Sequence, residues 1–250
     1  MKPAELRVMT FNIRHGQGMD DRVDLGRIAA EIKRSGADII ALQEVDRSLS
    51  RSGVIDQTAQ LAQQLGMEYC YSASEDAANN TRLAQLIHDN NAATGKNGGY
   101  GNALLSRFPI TDQQSHYLAS DRERRSVLQT KINAGVRDIN VFATHLGLDL
   151  EEQMAQMRTI VELLKHTSGD VILMGDFNVR PDSPVLAQLP SRLSKVLLSG
   201  NITTFAGRKD DVVEIDHIFT NLTPLKSAWT QPTTASDHHP VLAQLDLNRV

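Results

Sequence analysis

The sequence predicts a layered α/β domain in which two mixed β-sheets lie face to face with helices outside. Three observations lead there. Short apolar runs of strand length alternate with helix-period segments early in the chain. Hairpin-like alternation takes over in the middle. No internal repeat, low-complexity tract or Pro/Gly linker divides the 250 residues, so a single domain over 1–250 is expected.

Residues 6–11 alternate like a strand and end at Asn12, with Arg14, His15 and Gly16 in the loop beyond. Asp24 or Asp21 can cap the next helix, whose apolar positions Leu25, Ile28, Ala29 and Ile32 recur at helical spacing until Ser35-Gly36. Residues 38–43 read as a second buried strand that delivers Glu44 at its end. Residues 56–65 are helical and stopped by Gly66, and 67–71 form a strand. Between 72 and 99 the periodicity fades among Asn79-Asn80, Asn90-Asn91 and Lys96-Asn97-Gly98-Gly99. That composition predicts a long loop insertion, with a short helix over 82–88 at most.

Residues 100–106 and 110–118 read as strands, and 126–132 with 136–144 as a hairpin through Asn133-Ala134-Gly135 that ends on Thr144-His145. Met154, Met157, Ile160, Val161 and Leu164 line one face of a helix over 151–164. Val171-Ile172-Leu173-Met174-Gly175-Asp176-Phe177-Asn178 is an apolar strand running into a carboxylate and a carboxamide. Its period of two points Asp176 and Asn178 the same way, and Gly175 permits close approach. Residues 183–198 are expected to be partly helical and 202–205 loop or short strand. Strands are expected over 212–219, 225–229 and 241–247.

Composition limits the function classes. Charged residues are 22% and hydrophobic ones 40%, ordinary for a globular protein, and aromatics are only 4%. A net charge of -4 argues against a broad cationic face for duplex nucleic acid. Cys70 is the sole cysteine, which excludes an intrachain disulfide and a cysteine-based zinc site. Without a basic-then-apolar leader or an apolar run of membrane-spanning length, a cytoplasmic protein is expected, monomeric and without stable membrane insertion.

The chemistry concentrates at strand ends. Asn12, Glu44, His145, Asp176, Asn178, Asp216, Asp237 and His238 each terminate or follow an apolar run, where layered α/β folds build active-site rims. Asn12, Glu44 and Asp237 offer oxygen only, which suits a hard cation such as Mg²⁺ or Mn²⁺. Asp216 sits among Val212, Val213, Ile215 and Ile218 and needs a partner, for which His238 is suitable.

Thr10-Phe11-Asn12, Leu42-Gln43-Glu44-Val45, Thr144-His145-Leu146, Gly175-Asp176-Phe177-Asn178, Ile215-Asp216-His217-Ile218-Phe219 and Ser236-Asp237-His238-His239-Pro240-Val241 resemble, in order, the motifs of the endonuclease/exonuclease/phosphatase superfamily. The resemblance implies a four-layer α/β sandwich and a divalent-metal-dependent phosphoester hydrolase. It assigns Glu44 as the main metal ligand, supported by Asn12 and Asp237, with Mg²⁺ or Mn²⁺ as cofactor. Asp176 would orient and deprotonate the attacking water, and Asn178 would hold that water or a phosphate oxygen. His238 would be the catalytic imidazole with Asp216 accepting its other N–H, and His145 would stabilise the pentacovalent phosphate. His217 and His239 are assigned supporting roles, and His15, His88, His116 and His166 structural ones.

The likeness is strongest to small bacterial hydrolases of the superfamily. In its deoxyribonuclease-like branch an acid often supports the histidine corresponding to His145, but here Gly99-Tyr100-Gly101 stands in that region. Arg14, Arg47, Arg107, the Arg122, Arg124 and Arg125 cluster, and Asn102 are candidates for phosphate contact. The leading expectation is a phosphodiesterase acting on a small or lipid-derived phosphoester. The alternatives are a nuclease on DNA or RNA and a non-catalytic binding protein on the same fold.

Overall fold

The computed structural model describes residues 5–75, 82–120, 122–207 and 213–248. In chain order these form β1 (Glu5–Asn12), α1 (Leu25–Ser35), β2 (Ile39–Arg47), α2 (Gln57–Leu65), β3 (Glu68–Glu75), α3 (Arg82–Thr94), β4 (Gly99–Ser106), β5 (Ile110–Leu118) and β6 (Arg125–Asn133). There follow β7 (Asp138–His145), α4 (Leu150–Lys165), β8 (Asp170–Asp176), β9 (Ser194–Lys195), β10 (Asp216–Thr220), β11 (Thr223–Pro224), β12 (Trp229–Thr230) and β13 (Val241–Asp246).

The helices begin where short side chains cap them. Asp24, rather than Asp21, accepts from Gly26 N at 2.8 Å and starts α1. Asp56 accepts from Ala59 N at 2.9 Å and Asp149 from Glu151 N at 3.0 Å, starting α2 and α4. Such caps contribute about 1 kcal/mol each.

A seven-stranded sheet runs β11-β13-β1-β2-β4-β3, with β12 also on β13, and a six-stranded sheet runs β5-β6-β7-β8-β10-β9. Each is mixed: β1–β2 and β7–β8 are parallel, and their other pairings are antiparallel. Leu6, Val8, Ile39, Ala41 and Leu104 of one sheet meet Leu128, Val141, Ile172, Met174 and Ile218 of the other in a central core. The opposite faces are covered by α1 and α2 on the first sheet and α4 on the second. The expected arrangement of two face-to-face sheets with outer helices is thus the observed one. Full burial of each such aliphatic side chain contributes about 1.5–3 kcal/mol.

Gly175 permits a close contact between the parallel strands β7 and β8. A Cβ there would lie 2.0 Å from the Thr144 carbonyl oxygen of β7.

Several elements differ from the sequence reading. β2 does not stop at residue 43 but continues to Arg47 through a register shift between Leu42 and Val45, which contains Glu44. The expected loop over 72–99 is largely ordered: β3 extends to Glu75 and α3 occupies Arg82–Thr94, while 76–81 lie outside the described residues. Its polar, Asn-rich face concealed a helix that buries only Ala84 and Ile87. Over 183–198 there is a single 3₁₀ turn, Leu186–Gln188, and the short β9, because Pro184 and Pro190 interrupt any longer helix. The strand expected over 225–229 is replaced by the separate two-residue β11 and β12.

Candidate active site

The proposed residues converge at one edge where the two sheets open. In the six-stranded sheet, β7 register sets His145 beside Asp176, and β10 register sets Asp216 on its other side. In the other sheet Asn12 pairs with Gln43, next to Glu44. The loop before β13 is drawn to the same place by Ser236, whose Oγ donates to the Asn12 carbonyl at 2.8 Å. Asn12 then crosses between the sheets: its Nδ2 donates to Glu44 Oε1 and to Asp176 Oδ2, both at 3.0 Å.

The centre is a line of acid, imidazole and acid. Asp216 Oδ2 accepts from His238 Nδ1 at 2.9 Å, and His238 Nε2 faces Asp176 Oδ2 at 3.7 Å. All three side chains are buried. Burial alone would lower the His238 pKa, but the Asp216 and Asp176 carboxylates outweigh it and raise it to about 10. Burial, with the neighbouring Asp216 charge, lifts Asp176 to about 7, although His238 and Asn12 oppose the rise. Phe205 closes one side of the His238 ring, with centroids 4.9 Å apart.

His145 reaches the same carboxylate from the other strand, with Nε2 at 3.5 Å from Asp176 Oδ2. Its Nδ1 lies 3.3 Å from Arg125 Nη1, and burial, Arg125 and His238 together hold its pKa well below the usual value. Asn178 N donates to Asp176 Oδ1 at 2.9 Å, and its side-chain Nδ2 donates to the Leu146 carbonyl at 3.0 Å. The carboxamide oxygen of Asn178 therefore remains to accept.

Glu44 adopts a left-handed backbone, φ 57°, within the register shift of β2, and lines the cleft together with Asp176 and Asp237. Asp237 Oδ2 is 3.6 Å from Arg14 Nε. Glu44 and Asp237 offer the cleft a hard-oxygen donor set that suits a divalent cation. Asn12 lies beside Glu44. Its Oδ1 already accepts from Arg14 N at 3.1 Å, and its Nδ2 aligns two carboxylates. Among the described residues, Asp176, Asp216 and His238 also have ligand atoms within 4.8 Å of one another. That trio is better read as a hydrogen-bonded line, because a ring bonded by one acid and facing another is held as imidazolium, whereas a metal takes neutral imidazole.

The acid–imidazole line opens onto two cavities. One, of about 370 Å³, is bordered by Glu44, Arg51, Tyr100, Arg125, His145 and Asp237. The second, of about 480 Å³, is bordered by Leu148, Arg180, Phe205, Val213 and Ile215. Both also touch Asn178 and His238.

Some candidates lie elsewhere. Asn102 is buried and donates to the Ser126 carbonyl at 2.9 Å, tying β4 to β6. Arg107 pairs with Asp38 at 3.6 Å at the far end of β2, and Arg47 stacks on Tyr71 at 4.8 Å. Arg124 stacks on Tyr117, so the arginine cluster divides and only Arg125 borders the first cavity. His15, expected to be structural, also lines that cavity. Arg51, Tyr100 and Phe205 were not singled out. Their places follow from contacts distant in sequence, such as the isolated bridge between Phe205 and His238.

A layered α/β sandwich with a buried acid–imidazole line at one sheet edge defines the class of protein. The chain belongs to the Endonuclease/Exonuclease/phosphatase family, whose model matches residues 9–238. Members of that family are hydrolases acting on phosphoesters and are generally divalent-metal dependent. Among relatives, UPF0294 protein VP2298 of Vibrio parahaemolyticus is 28% identical over 148 residues, 57% of this chain. The match spans about half, 47%, of that relative's length. YbhP of Escherichia coli is 28% identical over 179 residues, 69% of this chain and 66% of YbhP. The endonuclease/exonuclease/phosphatase from Bacteroides vulgatus has the same fold, with TM-score 0.76, 22% identity and coverage of 98% and 100% of the two chains. Among the described residues no helix is long and apolar enough to cross a membrane.

Proposed function

We propose that this chain is a divalent-metal-dependent phosphodiesterase acting on a small or lipid-derived phosphoester. The observation that carries the reading is the Asp216–His238–Asp176 line, with spacings of 2.9 and 3.7 Å, placed where two cavities meet. A phosphodiester bears two organic arms, and two cavities joined at the reacting centre accommodate both. A monoester needs only one.

In this reading Asp176 is the general base. Its pKa of about 7 is close to that of a base working at neutral pH, and Asn12 and Asn178 fix its orientation. Asn178 keeps its carboxamide oxygen and one N–H free, so it can hold the attacking water or a phosphate oxygen. His238, kept as imidazolium by Asp216, donates to the phosphoryl group as negative charge grows. His145 donates to the same group. Glu44 and Asp237 would hold Mg²⁺ or Mn²⁺, with Asn12 keeping Glu44 in place, and the bound cation supplies charge neutralisation at the phosphate. Against the nuclease reading, Arg122 borders a hollow shared with Asp149, Glu151 and Glu152 rather than a continuous basic strip.

The test is a comparison of bis-p-nitrophenyl phosphate with p-nitrophenyl phosphate, single-stranded DNA and sphingomyelin, each with Mg²⁺, Mn²⁺ or chelator. Metal-dependent turnover that favours the small or lipid diesters is expected. Preference for the monoester or for DNA would overturn the assignment.

A further inference from the structure

Arg125 is unlike the other arginines near the cleft. It is 7% exposed, it begins β6, and it is anchored by Glu123, whose Oε2 lies 2.8 Å from Arg125 Nη2. Its Nη1 points at His145 Nδ1, 3.3 Å away. A guanidinium has five N–H donors, no acceptor, and does not lose its charge in a protein. The ring nitrogen it faces must therefore be bare. On the opposite side of the ring, Nε2 faces the Asp176 carboxylate, an acceptor, at 3.5 Å. Donor at one nitrogen and acceptor at the other select one form of the side chain. Rotating the ring by half a turn would place carbons against both groups and lose both interactions.

We infer that Arg125 is a positioning residue that holds His145 as a neutral imidazole with its single proton on Nε2, aimed at the reacting phosphate. The inference deepens the proposed phosphoesterase reading and rests on it for the phosphate, although the state of the ring does not. An acid in Arg125's place would put the proton on Nδ1 or create a second imidazolium. The charged groups facing the ring are Arg125, Asp176 and the imidazolium of His238, and the two cations both oppose protonation of His145. The site is thereby divided. His238 carries the positive charge, and His145 supplies a directed N–H without competing for that proton. Because the donor is fixed before substrate arrives, no reorganisation is required in the transition state. Partners that fix a ring's tautomer in this way typically change activity by about 10–100-fold.

The experiment is long-range ¹H–¹⁵N NMR of the full chain at neutral pH with Mg²⁺, His145 being assigned from the signal lost in His145→Gln. The wild-type ring should show the pattern of a neutral imidazole protonated at Nε2. In Arg125→Met that pattern should be lost and kcat on bis-p-nitrophenyl phosphate should fall about 10–100-fold with little change in KM. Arg125→Lys, which retains a charged donor, should restore both in large part. A wild-type ring protonated at Nδ1 or at both nitrogens overturns the inference. So does an Arg125→Met protein whose ring pattern or kcat is unchanged. If Arg125→Met does not fold, the wild-type and Arg125→Lys spectra decide the ring state. Failure of the wild-type protein to hydrolyse any phosphoester overturns the functional reading alone, since the ring pattern is read without turnover.

Discussion

Asp176→Asn should make the metal-free protein more stable while removing its activity. Asp176 is buried beside Asp216, and its pKa rises from 3.8 to about 7. Ionising it in place therefore costs about 4 kcal/mol more than in water. The sign follows from proton linkage. A carboxylate with a raised folded pKa binds more protons in the native state than in the unfolded state. Stability is therefore lost as pH climbs from about 4 to about 7 and levels off above that. Asparagine removes this cost but cannot accept from both Asn12 Nδ2 and Asn178 N, which gives back about 1–3 kcal/mol. The net gain is about 1–3 kcal/mol at pH 8, and a domain of this size shifts by about 2–4 °C in Tm per kcal/mol. At pH 5 native Asp176 is already protonated, so the gain should disappear. Calorimetry in chelator at both pH values, with turnover of bis-p-nitrophenyl phosphate in Mg²⁺, checks each half. A variant that melts below wild type at pH 8 would refute the burial argument, and one that retains turnover would refute the base assignment.

Three further outcomes follow from the same geometry. His238→Ala and Asp216→Asn should each lower kcat by about 10²–10⁴-fold, measured on the same diester, with far-ultraviolet circular dichroism unchanged. Glu44→Gln should weaken Mg²⁺ binding in a calorimetric titration by at least about tenfold, because it removes a full ligand charge. Gly175→Ala should cost about 1–3 kcal/mol or more, read as a fall in denaturation midpoint, since its Cβ would meet the Thr144 carbonyl oxygen at 2.0 Å.

Much of this arrangement was legible in the sequence, for identifiable reasons. Asp176 and Asn178 were readable because a period-2 strand passes through a glycine just before them, and Asp216 because a carboxylate amid aliphatic residues requires a partner. What escaped depended on contacts across the gap between sheets. Asn12 ends β1 as expected, but that its amide would align Glu44 and Asp176 depends on a contact 164 residues away in sequence. Arg125 read as one of several loop arginines that could contact phosphate, yet β6 begins there and carries it inward beside His145. Asn102 went the other way, since a polar residue following a glycine looks available until the β4–β6 contact buries it. The helix expected over 82–88 runs on to Thr94, because the polar stretch Asp89-Asn90-Asn91 hid its second half.

The cleft is one place where the chain departs from easy backbone geometry, as it does elsewhere at Asp21, Ser48 and Val54. Arg14, His15, Glu44 and Asn178, none of them glycine, all have φ between 44° and 57°. Arg14 N donates to Asn12, Glu44 lies in the register shift of β2, and Asn178 N donates to Asp176. A left-handed L-residue costs about 1–2 kcal/mol, somewhat less for Asn. At Arg14, Glu44 and Asn178 the departure has a visible product: a carboxylate turned into the cleft, or a backbone N–H delivered to a side chain that holds one. Together with the burial cost of Asp176, these departures load the edge where the sheets open, and the closely packed core between the sheets is what sustains it. A cation held by Glu44 and Asp237 would lower the electrostatic part of that cost and leave the backbone part unchanged. Added Mg²⁺ should therefore raise the melting temperature of wild type more than that of Glu44→Gln.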